Sequence, residues 1–307
     1  MKRDFLAITD FSSKEIKEIL TIAKVLKQMH RWGDDPKPLA GKYAALMFRK
    51  PSLRTRASFE TGIRQLGADT LFFSDAEIGM GKRESVYDAA KVMSRYFDLI
   101  VIRTYAHQEI EEFAKHSEVP VINALTDLLH PCQIMGDIFT IIEHKNRMDN
   151  LKIAYVGDGG NNIANSWVNL ASRLSIDLRI GTTPDRTPDE KVFENAKNTG
   201  LSKITITENP IEAVEDADVI YTDVWASMGE KDKIEEREEK LKKFQVNNEL
   251  LSHAKNNVIV MHCLPAERGR EITDEVMDGP HSVVFDQAEN RLHIQKAIIV
   301  HLFGEKF

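Results

Sequence analysis

Between Arg49 and Arg56 the chain places four cations and two hydroxyls within eight residues: Arg49-Lys50-Pro51-Ser52-Leu53-Arg54-Thr55-Arg56. Guanidinium groups stay protonated and grip oxygens two at a time. The apolar run 44–48 just before reads as a short buried strand. Phe59, Ile63 and Leu66 just after lie on one face of a helix that Gly67 ends. A helix N-terminus already offers free N–H groups and a positive dipole end. Together these features specify a seat for a small, highly charged anion such as a phosphate. The plain alternative is a solvated basic turn. Ser52 and Thr55, interleaved with the cations at a helix start, favour the anion seat.

The elements that must position this stretch alternate. Ser12 and Glu15 form a capping box that opens a helix with the apolar face Ile16, Ile19, Leu20 and Ala23. Strands are expected over 70–73, 98–103 and 119–123, with helices over 84–96 and 108–116. A long helix follows over 131–145, then a polar break at 146–150. A second alternation begins there, with strands at 152–156, 177–180, 203–207, 218–222 and 257–261 and a last short one at 282–285. Its helices start near Asn162, Pro188, Pro210 and Lys231, and a final helix covers 288–302. Strand-helix alternation means parallel sheets. The expected fold is therefore α/β: two domains, each a parallel sheet flanked by helices, with the active site in the cleft between them. The domains are 1–147 and 148–287, with the C-terminal helix 288–307 packing back on the first. The charged run 230–243 reads as a solvated helix face.

In open parallel sheets, ligands bind beyond the carboxyl ends of the strands. The chemistry-bearing residues collect there. Arg103 ends the strand 98–103, and His130-Pro131-Cys132-Gln133 follows the fourth strand. In the second half, Gly157-Asp158-Gly159-Gly160-Asn161-Asn162 follows one strand, Asp223-Val224-Trp225-Ala226-Ser227-Met228-Gly229 another, and His262-Cys263-Leu264-Pro265 a third. Cations concentrate in the first half; amide, carboxylate, hydroxyl and thiol groups concentrate in the second. This implies an anion site on domain one and a site for an amine- or amino-acid-like molecule on domain two.

Each piece has a bland counterpart: Arg103 as a surface charge, His130 as a helix cap, Cys263 as a buried apolar residue among Val260, Met261 and Leu264. His130, Cys132, His262 and Cys263 lack the Cys-x2–4-Cys or His-x3–5-His spacing of a zinc site, so no metal is expected. The 157–162 turn opens a helix after a strand, yet it is not G-x-G-x-x-G, and Ile163 stands where the last glycine would fall. An NAD-dependent dehydrogenase is thus the weaker reading of that turn.

Taken together, these motifs resemble the aspartate/ornithine carbamoyltransferase family. Ser52-Leu53-Arg54-Thr55-Arg56 is similar to its S-T-R-T-R carbamoyl phosphate loop and His130-Pro131-Cys132-Gln133 to its H-P-x-Q element. The 223–229 stretch is similar to the D-x-x-x-S-M-G loop of the ornithine branch, and His262-Cys263-Leu264-Pro265 to its H-C-L-P loop. The match runs in order to Glu289-Asn290-Arg291. The resemblance implies that Ser52, Leu53, Arg54, Thr55, Arg103, His130, Gln133 and Arg291 hold carbamoyl phosphate, Leu53 through its backbone because it stands where the family has Thr. Cys263 and Leu264 would sit at the reacting centre against the same substrate. Asn162, Asp223, Ser227 and Met228 would hold L-ornithine. Arg54, Arg103, His130, Asp223 and Cys263 would be catalytic. Gly79 stands where the ornithine branch often carries Gln or His reaching a neighbouring subunit, and Lys82 is the candidate substitute. The implied activity is transfer of a carbamoyl group to the side-chain amine of ornithine, giving citrulline and phosphate, by direct amine attack. N-acylated ornithine or aspartate is the alternative acceptor. No cofactor is implied, and the family's oligomer is built on a trimer, so a homotrimer or a multiple of trimers is expected.

Composition sets outer bounds. With 307 residues there is room for two domains, and a formal charge of −7 argues against a general nucleic-acid partner. No apolar run approaches the ~20 residues that span a membrane, so no membrane partner is expected. The N-terminus Met1-Lys2-Arg3-Asp4-Phe5 lacks an apolar signal core, and two cysteines do not make a disulfide framework. A cytoplasmic location is the expectation.

Overall fold

The computed structural model describes residues 2–80, 84–226 and 234–305. The chain divides into two compact units. The first comprises Met1–Phe139 and Glu289–Phe307, the second Thr140–Ala288.

The first unit is built on β1 (Tyr43–Phe48), β2 (Asp69–Ser74), β3 (Leu99–Arg103) and β4 (Val121–Leu125). They lie in the order β2-β1-β3-β4, all parallel. β1 and β3 are buried almost throughout, as expected of strands covered on both faces. Chain direction through the sheet reverses between β1 and β3, which makes their carboxyl ends the switch point where ligands bind in such sheets. Phe48 is paired with Arg103 there, so the 49–55 stretch and Arg103 leave the sheet side by side. β4 begins at Val121 rather than Val119, because Pro120 has no N–H for the ladder. Phe5 lies alongside Ile122 as a single extra bridge, covering that edge.

Helices flank the sheet where the apolar spacing places them. Ser13–Arg31 starts at the Ser12/Glu15 capping box. Leu53–Gln65 starts at Ser52, Val86–Tyr96 at Ser85, and His107–His116 follows β3. The last helix, Val284–Phe303, seats its later turns in the first unit through two close approaches. A methyl at Gly62 would meet Lys296 Cγ at 3.1 Å and Leu292 Cδ1 at 3.3 Å; one at Gly136 would meet Arg291 Cδ at 3.2 Å. Buried polar links fix the register: Lys27 Nζ donates to Asn290 Oδ1 (2.7 Å) and Lys296 Nζ to Gln65 Oε1 (2.8 Å).

The second unit carries β5 (Leu151–Val156), β6 (Ile176–Gly181), β7 (Lys203–Thr207), β8 (Val219–Thr222) and β9 (Ile259–His262). Their order is β7-β6-β5-β8-β9, again all parallel. The switch point falls between β5 and β8. Gly157 follows the first of these and Asp223 the second; β9, paired with β8 through Thr222 and His262, brings Cys263 in alongside. A core of Ala154, Val156, Ile220, Val260, Val246 and Ile272 packs one face.

One expected element is absent. The stretch 282–285 is not a strand: a single bridge joins Ser282 to Val260, and Val284 already opens the final helix. Three residues of apolar run cannot distinguish a strand from a buried helix start, and here Val284 joins the core while Phe285 faces solvent. Among the described residues, no helix is long and apolar enough to cross a membrane.

Candidate active site

The first unit's site begins at the Ser52 N-cap. Its Oγ accepts the Thr55 N–H at 3.3 Å, leaving the earlier amides of the first turn unclaimed by the cap. The Leu53 side chain is 81% exposed and packs nothing, so this position offers a ligand its backbone. The four cations of the stretch divide by partner. Arg49 pairs with Asp75 (2.7 Å) and with Glu109, and Lys50 pairs with Asp127. Arg56 pairs with Glu60 (3.0 Å) and lies over the Phe72 ring. Arg54, half-buried at the second helical position, has no hydrogen-bond or ion-pair partner among the described residues. Its guanidinium is thus available to a ligand in a way the other three are not.

Thr55 is buried, and Arg291 reaches it from the final helix, Nη2 to Oγ1 at 3.5 Å. Arg291 also donates through Nη1 to Gln133 Oε1, and Gln133 Nε2 donates to Asp137 Oδ1 at 2.8 Å. Gln133 is thereby oriented from both ends. Arg103 and His130 are both buried. Burial pushes the His130 imidazole well below its ordinary range, and the Arg291 and Arg103 charges push it further. At neutral pH it is a neutral ring beside two guanidiniums, able to donate one N–H without adding charge. Cys132 is fully buried, gives its S–H to Asn123 O, and burial pushes its thiol up to about 12. It is an inert packing residue.

In the second unit the Asn161 side chain caps the helix Asn162–Ala171, and Asn162 stands half-buried at its first position. Asp223 is buried, and burial pushes its carboxyl up, partly offset by the Cys263 thiol and the Val224 N–H. Cys263 Sγ donates to Asp223 Oδ1 at 2.9 Å. Leu264 has φ 58°, and its N–H donates to His262 Nδ1 at 2.9 Å. His262 Nε2 in turn lies 3.0 Å from Glu271 Oε1, both side chains fully buried. Because Nδ1 accepts, Nε2 carries the proton, and the ring holds the Cys263-Leu264 turn from behind. Asp223, His262 and Cys263 present ligand atoms within 4.8 Å of one another. With both His262 nitrogens already engaged, the trio is a hydrogen-bonded group rather than a metal set.

The dinucleotide reading of the 157–162 turn fails on its amides. Gly159 N donates to Thr182 Oγ1 (3.1 Å) and Gly160 N to the Asp158 carboxylate (3.0 Å), which Arg186 clamps in turn. A pyrophosphate would find these donors taken.

The sequence-derived residues thus fall into two groups. Ser52, Leu53, Arg54, Thr55, Arg103, His130, Gln133 and Arg291 belong to the first unit; Asn162, Asp223, Cys263 and Leu264 to the second. Ser227, Met228 and Lys82 lie outside the described residues. Asn161, Tyr155, Glu271 and Asp137 were not singled out by sequence. Only Asn161 carried a signal, as an Asn immediately before a helix.

The first unit thus gathers the Arg54, Arg103 and Arg291 guanidiniums, and the second a carboxylate–thiol pair beyond the ends of β8 and β9, the two kinds of group that a transferase of an anionic donor needs. The comparisons make this specific. Residues 3–143 match the model for the aspartate/ornithine carbamoyltransferase carbamoyl-P binding domain, and residues 149–302 that for the Asp/Orn binding domain. The chain is 51% identical to the ornithine carbamoyltransferase of Syntrophus aciditrophicus over 97% of its own length and 99% of the relative's. It is 50% identical to that of Methanocaldococcus jannaschii over 96% and 97%. The solved ornithine carbamoyltransferase of Pyrococcus furiosus superposes with a TM-score of 0.94 at 44% identity, covering 100% of this chain and 98% of that one. The chain belongs to the aspartate/ornithine carbamoyltransferase family.

Proposed function

We propose that this chain is an ornithine carbamoyltransferase, transferring the carbamoyl group of carbamoyl phosphate to the side-chain amine of L-ornithine to give L-citrulline and phosphate. The observation that carries the choice of acceptor is the surrounding of Asp223: a thiol, a backbone N–H and an Asn amide, with no guanidinium bonded to it among the described residues. A buried carboxylate of this kind suits a cationic amine. An aspartate acceptor would need a cation for its extra carboxylate. Arg186 is directed at Asp158, and Arg237 donates to the Trp225 carbonyl at 3.2 Å with Asp158 4.0 Å away.

A side-chain ammonium has a pKa near that of Lys, ~10.4, and attacks only after losing its proton. Asp223 and Cys263 orient the amine and help that proton leave. The nitrogen lone pair forms the new C–N bond, and negative charge gathers on the carbonyl oxygen. Arg54, Thr55, Arg103 and the neutral His130 ring stabilise it, each donor of this kind being worth on the order of 10²–10³ in rate. The C–O bond to phosphate then breaks with its electron pair. Phosphate leaves as an anion held by Ser52, the first turn's amides, Arg291 and Gln133. No step requires a metal or organic cofactor.

The proposal extends to a homotrimer working in the cytoplasm in arginine metabolism. The apolar side chains Leu71, Tyr87, Val92 and Tyr96, exposed on the first unit, support an oligomer. Incubation with carbamoyl phosphate and, separately, ornithine, N-acetylornithine and aspartate tests the acceptor. Citrulline from ornithine alone is expected; a ureido product from either of the others in its place overturns the choice.

A further inference from the structure

Asn161 occupies a position that neither capping nor packing fully accounts for. Its Oδ1 accepts the Ala164 N–H at 2.9 Å, which is the N-cap bond. Its Nδ2 does something else: it donates to Tyr155 Oη at 2.8 Å and to Asp223 Oδ2 at 3.2 Å. Both amide hydrogens are therefore used, and both by side chains outside the helix it caps. Tyr155, from β5, is fully buried, and its hydroxyl donates to the Asp158 carbonyl at 3.0 Å. Burial and the nearby Asp223 and Asp158 charges push the phenol well above its ordinary range, so the O–H stays a donor and its lone pair faces Asn161. The chain of donors runs one way: Asn161 into Tyr155, Tyr155 into the backbone of the 157–162 turn.

The consequence lies at Asp223. Its Oδ1 takes the Cys263 thiol and the Val224 N–H. Its Oδ2 takes one protein donor among the described residues, the Asn161 amide. A carboxylate pinned on one oxygen alone can swing about its χ2 torsion, which is broad for Asp. One pinned on both oxygens presents its remaining Oδ2 lone pair in a fixed direction. A capping Ser would serve the helix equally well but could not reach Asp223.

We infer that Asn161, held by Tyr155, is a positioning residue that fixes the Asp223 carboxylate for the acceptor amine. This rests on the functional reading above. It assigns amine positioning to the residue next to Asn162, the one expected at the ornithine site, and gives the buried Tyr155 hydroxyl a role in the site.

Two variants separate this role from capping. Asn161→Ser keeps a capping oxygen and removes the donor to Asp223. Tyr155→Phe leaves the cap untouched and removes the acceptor that orients the Asn161 amide. Steady-state citrulline formation is measured with each substrate varied in turn. For Asn161→Ser we expect kcat/KM for ornithine to fall at least tenfold with KM for carbamoyl phosphate within twofold of wild type. Tyr155→Phe should follow the same pattern with a smaller loss. Wild-type ornithine kinetics in both variants overturn the inference, as does an equal rise in both KM values, which would mark general structural damage. If Asn161→Ser fails to fold, Tyr155→Phe decides by the same criterion. A wild-type protein that makes no citrulline overturns the functional reading itself, and this inference with it.

Discussion

Replacing Arg54 by alanine separates binding chemistry from folding more cleanly than any other change in the first unit. Its three neighbouring cations each hold a carboxylate, so their removal would loosen the protein. Arg54 holds none among the described residues. It also sits at the second position of the helix Leu53–Gln65, where a positive charge opposes the dipole by roughly 0.3–1 kcal/mol. Removing it should therefore leave thermal stability unchanged or raise it slightly, within the roughly 0.5 kcal/mol typical of unpaired surface groups. Catalysis should behave oppositely. Losing one preorganised donor to the developing oxyanion corresponds to a fall of about 10²–10³ in kcat, or roughly 3–4 kcal/mol. Arg54→Lys restores the charge without the planar fork and should recover only part of this loss. The assay pairs citrulline formation under saturating ornithine with a thermal melt of the same preparations. Activity within threefold of wild type in Arg54→Ala would refute the assignment of the free cation to the donor substrate. A large drop in melting temperature would refute the claim that Arg54 is structurally idle.

Three further outcomes follow from the geometry. Gly136→Ala places a methyl 3.2 Å from Arg291 Cδ, so it should displace that guanidinium and raise KM for carbamoyl phosphate several-fold while KM for ornithine stays put; steady-state kinetics with each substrate varied would show it. His262→Ala takes one of two donors from a fully buried carboxylate, Glu271, which keeps the Glu267 N–H, and frees the Leu264 amide; a loss of about 1–3 kcal/mol in denaturant-derived stability is expected, together with collapse of activity. His130 is lowered in the folded state, so below its unfolded pKa of ~6.5 the unfolded chain binds the extra proton first. The stability of the neutral ring is present above that pH and lost as pH falls. His130→Asn should therefore flatten part of the stability decline between about pH 6.5 and 5, followed by chemical denaturation at each pH.

Much of the fold could be read from residue order because strand ends and helix starts carried local signals. The Ser12/Glu15 box, the helix start after Ser52 and the strand Lys203–Thr207 all stand where apolar spacing and capping chemistry place them. The 282–285 stretch was misread because Val283 and Val284 are buried whichever element they open. The placement of chemistry-bearing residues at strand ends was legible, as for Arg103 at the end of β3 and Asp223 after β8. It was not legible where partners are distant in sequence. Nothing local distinguishes Arg54 from Arg49 or Lys50; the difference arises from Asp75, Glu109 and Asp127, 26 to 77 positions away. Asn161 and Asn162 are likewise adjacent and identical, and only the tertiary approach of Tyr155 and Asp223 gives them different work.

The identity of the nitrogen that receives the carbamoyl carbon decides the reaction. Carbamoyl phosphate labelled with ¹³C, turned over with ornithine carrying ¹⁵N at its side-chain amine, answers this in one carbon NMR spectrum. The expected result is a ureido carbon split by a one-bond coupling to the ¹⁵N, with release of inorganic phosphate in equal amount. A ureido carbon without that coupling, or phosphate release with no ureido product, would contradict it.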